Sequence, residues 1–144
     1  MREILFRGKN DAGEWLYGYL TKPAGNPCFI IDGDDYFGGV IEETIGQYTG
    51  FKDKNGKKIF EGDIVKVTIK NEEYDWDGQY KKHTRKLIGK VIYEKNAFII
   101  DSKTKTFDFI DKKHVEMQRD GTTYYYTYEV IGNIHDNPEL LEKI

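Results

Sequence analysis

Apolar and polar side chains alternate along most of this chain in short runs, and turn residues break the runs roughly every ten residues. The alternation is clearest at Ile64–Lys70: Val65, Val67 and Ile69 share one side, and Lys66, Thr68 and Lys70 share the other. A period of two with one apolar side predicts a half-buried strand. A hairpin is predicted with strands over 2–8 and 14–20, around the turn-like stretch from Lys9 to Gly13. Further strands are expected over 28–32, 36–41, 87–93, 97–101 and 106–110, whereas 114–117 fits no single template. Thr122–Ile134 places Tyr124, Tyr126, Tyr128, Val130 and Gly132 on one face, with Tyr125, Thr127, Glu129 and Ile131 on the other. Between Gln47 and Phe60, the dipeptide Asn55-Gly56 predicts a type I′ turn, whose two positive-φ positions suit a hairpin. Turns are also read at Asp32–Asp35 and Glu94–Asn96, and Pro23 and Pro27 make 22–27 a loop. Near the end, Asn137 as cap and Pro138 at the first helical position predict a short helical turn. No long segment has a helical period. The elements therefore predict a mainly β protein, a single domain over 1–144. Its body would be barrel-like or a twisted antiparallel sheet.

The run from Gln47 through Asn55-Gly56 to Glu61-Gly62-Asp63-Ile64-Val65 closely resembles the signature of the YopX family of phage and prophage proteins. The opening Arg2–Arg7, the Trp15–Gly18 step and the ending Tyr128–Leu141 resemble the same family, so the likeness spans the chain. The resemblance implies a small, mostly β protein of phage origin in a bacterial cytoplasm. It implies no catalytic residue, because no biochemical activity is established for the family.

Composition narrows the function classes. The 144 residues carry 22 Lys and Arg against 25 Asp and Glu, a net charge of −3, which argues against a protein built mainly to coat nucleic acid. Aromatics at 15% supply enough apolar surface to offset chain entropy, so the 33% of charged residues does not signal disorder. Cys28 is the single cysteine, so no internal disulfide can form, which suits a reducing compartment. No apolar run is long enough for a membrane span, and no leader is read.

Candidate chemistry is sparse. Cys28 sits in an apolar run without a neighbouring base, and Ser102 lacks the glycine-flanked elbow of a hydrolase nucleophile. His83, His114 and His135 are too far apart in sequence to suggest zinc spacing. The acidic run Asp32-Gly33-Asp34-Asp35 departs from a calcium loop where Tyr36 and Phe37 follow. Glu61 and Asp63 flank Gly62 and read as a bulge whose carboxylates bond local backbone amides. Catalytic residues, cofactors and metals are thus not expected.

Two surfaces remain. Residues 70–90 are expected to form a projecting arm, where Trp76 and Tyr80 precede the basic cluster Lys81, Lys82, Arg85 and Lys86. Aromatics beside cations can hold single-stranded nucleic acid. The aromatic run Tyr124, Tyr125, Tyr126 and Tyr128 reads as an oligomer contact, because a single-domain core covers one face of a strand unless a second layer is present. The leading expectation is a non-enzymatic phage accessory protein that self-associates and contacts an unknown host or phage protein. A nucleic-acid-binding barrel is the alternative.

Overall fold

The structure, a computed structural model, describes residues 3–24, 27–32, 36–103, 105–108, 115–117 and 122–142. Its strands form two six-stranded antiparallel sheets. The first contains β1 (Phe6–Lys9), β2 (Trp15–Thr21), β3 (Phe29–Asp32), β4 (Tyr36–Gly39), β5 (Gly46–Lys52) and β6 (Lys58–Phe60), in the order β4-β3-β2-β1-β5-β6. The second contains β7 (Asp63–Tyr74), β8 (Tyr80–Glu94), β9 (Ala97–Ser102), β10 (Thr106–Asp108), β11 (Val115–Met117) and β12 (Thr123–Asn133), in the order β10-β9-β8-β7-β12-β11. Both sheets follow one plan: a four-strand meander, whose first strand is then flanked by a strand returning from later in the chain. Of the two expected bodies, the antiparallel sheet is the one that forms, as a sandwich and not a closed barrel, because among the described residues each sheet keeps two open ends. Closure depends on which distant strands pair, and the local alternation does not encode that.

The expected half-buried strand is β7. Val65, Val67 and Ile69 are buried, while the intervening Lys66, Thr68 and Lys70 face outward. Register carries the same face across the sheet: Val67 lies between Leu87 of β8 and Tyr128 of β12, and Ile100 of β9 stands opposite Val91. Each such side chain contributes about 1.5–3 kcal/mol on burial. Ile59 of β6 joins this core from the first sheet. The first sheet has its own smaller core of Leu16, Cys28, Ile30 and Val40. A bulge between Val130 and Gly132 shifts the register of β12, so Gly132 stands opposite Ile64 and leaves the face it was expected to share with Val130.

Three hairpin turns repeat one local design, at Asn10–Glu14, Asp53–Lys57 and Asp75–Gln79. In each, the first residue's Oδ1 accepts the backbone N–H of the fifth, at 2.9, 2.9 and 2.8 Å. The fourth is glycine with φ near +80° (Gly13, Gly56 and Gly78), and its N–H donates to the first residue's carbonyl. This corrects the type I′ expectation at Asn55-Gly56: Gly56 has a positive φ but Asn55 does not. The paired positive-φ geometry of a type I′ turn occurs instead at Lys95 and Asn96, with φ of 52° and 65°, between β8 and β9.

The Asp53 turn also joins the sheets. The buried Asp53 carboxylate accepts the N–H of Val130 at 3.0 Å, and Lys54 N–H donates to the Tyr128 carbonyl at 2.8 Å. Desolvation pushes the Asp53 pKa up, but the N–H donors of Val130, Lys57 and Asn55 outweigh it and hold the pKa below the ordinary value. After β12, a 3₁₀ helix spans Pro138–Glu142, as expected at this end. Asn137 precedes that helix, where its carbonyl accepts the Leu140 N–H at 3.1 Å and its side chain accepts the Asn133 N–H at 3.4 Å. Ile110, His114 and the turn residues Gly33, Asp34 and Asp35 lie outside the described residues.

Candidate functional site

The arm is an ordered hairpin. β7 and β8 pair without interruption from Ile64↔Lys90 out to Tyr74↔Tyr80, and the Asp75–Gln79 turn closes the tip. β12 flanks β7 only as far as Thr123↔Glu72, so the last residues of the hairpin stand clear of the third strand. Trp76 sits in the turn and is 94% exposed. Behind it, Tyr74 and Tyr80 face each other across the strands with ring centroids 5.6 Å apart, in an edge-to-face pair. Tyr125 lies on the same outward face. Its hydroxyl donates to the Glu72 carboxylate at 3.4 Å, and Tyr80 bonds the same carboxylate. The hydrogen bond to Glu72 raises the Tyr80 pKa, and the Glu72 charge raises that of Tyr125. The tip thus carries three exposed aromatics, Tyr74, Trp76 and Tyr80, and Glu72 links Tyr80 to the exposed Tyr125 on the next strand. The sequence places Tyr74 and Glu72 in this charged, aromatic stretch but does not mark either as a contact residue. The Asp75-x-x-Gly78 turn was the available signal, since it fixes the pairing that brings Tyr74 to Tyr80.

The basic residues of the arm do not form one patch. Alternation along β8 puts Tyr80, Lys82 and Lys86 on the outward face, whereas Lys81 and Arg85 share the side of Val67 and Ile69. Lys81 pairs with Asp75 at 3.8 Å and His83 with Glu73 at 3.3 Å. Residues 80–86 are all exposed. The tyrosines of β12 are similarly divided. Tyr128 is buried in the main core, Tyr124 and Tyr126 pack against that core, and Tyr125 faces solvent.

The single residues weighed for chemistry have structural surroundings. Cys28 is buried in the first core. The Ser102 hydroxyl donates to the Lys105 carbonyl at 2.7 Å and accepts its N–H at 3.0 Å, closing a turn. Among the described residues no group of three His, Cys, Asp or Glu side chains could hold a metal ion. No helix among them is long and apolar enough to cross a membrane.

Asp63 accepts the Phe60 N–H at 2.8 Å, the local backbone bond expected for this segment. It also meets a partner the sequence did not suggest, the Arg7 guanidinium, at 2.8 Å, with both side chains almost wholly buried. Burial pushes the Asp63 pKa up, and Arg7 opposes it. The guanidinium lies 4.7 Å from the Trp15 ring and 5.0 Å from Phe60. On the outer side of Trp15, Asp136 accepts Trp15 Nε1–H at 2.8 Å, Asn133 Nδ2–H at 3.1 Å and a Lys9 ammonium proton. Those donors hold Asp136 far below the ordinary carboxylate range. His135 packs on Trp15 at 5.8 Å between ring centroids.

Burial, then the Arg7 charge, lowers the His135 pKa. The unfolded chain binds this proton near pH 6.5, and the folded chain binds it only at lower pH. The contribution of His135 to stability is therefore full above that value and falls as the pH drops below it. Urea midpoints at pH 7.5 and 5.5 should show this loss, and H135Q should reduce the difference. An unchanged difference in H135Q would assign the loss to other groups.

Among curated proteins, none matches the chain significantly. A solved structure similar to it is protein EF1440 from Enterococcus faecalis, 29% identical over 98% of this chain and 99% of that one, with a TM-score of 0.47. The family model described as YopX protein matches residues 9–142. The chain belongs to the YopX family.

Proposed function

We propose that this chain is a single-domain, non-enzymatic accessory protein of a phage or prophage, acting through protein contacts and self-association in the bacterial cytoplasm. The observation that carries the reading is Trp76, a large apolar side chain almost fully in solvent at the tip of an ordered hairpin, with the Tyr74–Tyr80 pair behind it. Tryptophan and tyrosine dominate binding energy at protein interfaces, and leaving them in water has no folding benefit. The tip, with Tyr125 at its base, is the proposed self-contact. Size-exclusion chromatography with light scattering should show concentration-dependent association, and the variant W76S should be monomeric with an unchanged melting temperature. A wild-type protein that stays monomeric at high concentration would overturn self-association.

A second reading, single-stranded nucleic-acid binding, is supported by Tyr80, Lys82 and Lys86 on one face of β8. It requires DNA or RNA affinity that weakens steeply with salt and falls when Lys82 and Lys86 are neutralised.

A further inference from the structure

We propose that the free edge of β8, Tyr80–Ile88, docks an extended acidic segment of another protein by strand addition. The inference rests on the protein-contact reading and names the partner's chemistry. β8 is hydrogen-bonded to β7 along its whole outer half, but β9 begins to pair with it only at Gly89↔Ser102. Residues 80–88 thus present a row of unpaired backbone donors and acceptors about 30 Å long among the described residues. The stretch contains Lys81, Lys82, His83, Arg85 and Lys86 and no carboxylate. Of these, Lys82, Arg85 and Lys86 form no ion pair with any described residue.

The split of the cations between two faces selects the kind of partner. A ligand lying on one face meets Lys82 and Lys86 or else Arg85, but not both sets. A strand added to the edge places its own alternate side chains beside both. Lysines along an edge also repel unwanted strands, and this fixes the sign of what is admitted. A second copy pairing edge to edge would bring lysines against lysines, so the occupant is a different, acidic chain.

The test uses the full-length protein and a peptide of sequence Glu-Glu-Thr-Val-Glu-Glu-Thr-Val-Glu, whose carboxylates recur every four residues on both faces, matching the spacing of Lys82 to Lys86 and Lys81 to Arg85. Amide exchange should slow within residues 80–88 on saturation, and affinity should fall at least tenfold in the variant K82E/R85E/K86E. Replacing each threonine and valine of the peptide by proline should abolish binding in either register, because alternate residues donate to the ladder and proline cannot. Equal binding of the proline peptide, absence of saturable binding, or displacement by an oligothymidine that binds more tightly would each overturn strand addition. Failure here with association by Trp76 intact would remove the edge proposal alone. Loss of concentration-dependent association would instead remove self-association by the tip, and peptide binding would still decide strand addition.

Discussion

Replacing Asp63 by alanine is expected to lower the unfolding free energy by about 3–5 kcal/mol, the range for removing one partner of a buried ion pair. The Arg7 guanidinium would be left in place between Trp15 and Phe60 with no counter-charge, and its Nε already has no hydrogen-bond partner. The Phe60 N–H would lose its acceptor as well. Domains of this kind hold about 5–15 kcal/mol in total, so the variant should melt more than about 10 °C below the parent. D63N separates the two losses, since the amide oxygen can still accept the Phe60 N–H while the charge is gone; an intermediate cost is expected. The double variant R7M/D63L should recover most of the stability, because both the uncompensated charge and its desolvation are removed together. Urea unfolding of the three proteins measures this. A cost under about 1 kcal/mol for D63A would mean that the pair is solvated and does not join the sheets.

The second large effect is expected at Gly46, which stands opposite Arg7 where β5 joins β1. A Cβ there would lie 2.4 Å from the Glu61 carbonyl oxygen. That carbonyl belongs to backbone that cannot easily retreat: the next residue, Gly62, donates its N–H to Val91 and accepts from the Ile134 N–H. G46A should therefore cost about 3 kcal/mol or more, as overpacking against fixed backbone does. G13A is the matched control, because its Cβ would meet nothing within 4 Å and only the positive φ of 81° is strained. It should cost about 1 kcal/mol. Equal melting temperatures for the two variants would show that the Glu61 backbone yields.

The strands were legible because each records its own burial. Val65, Val67 and Ile69 alternate with polar residues, and the core lies on the side that pattern indicates. The Asp53 turn was harder, because two local patterns compete over the same residues. Asn55-Gly56 suggests a two-residue turn, but Asp53, two residues earlier, offers an acceptor to the backbone N–H groups of both Asn55 and Lys57 and draws the chain into the wider turn. The same spacing of Asx and glycine at Asp75 and Gly78 encoded the tip of the arm, where a charge-rich composition drew attention away from it. Arg7 and Asp63 could not be paired from sequence: neither has a local feature marking it as buried, and the return of β5 beside β1 brings their segments together. The basic cluster of β8 misled in a simpler way. Neighbours in sequence are opposites across a strand, so the four cations Lys81, Lys82, Arg85 and Lys86 became two half-patches.

The Asp53 turn has one more implication. It gives β12 two backbone bonds from the other sheet, a carboxylate on the Val130 N–H and an amide on the Tyr128 carbonyl. Losing the first half of the molecule would thus take away the acceptor of the Val130 N–H and a donor to the Tyr128 carbonyl. A fragment carrying the second sheet alone would therefore enter water with part of its hydrogen-bonding ledger unbalanced, and the two sheets are halves of one folding unit.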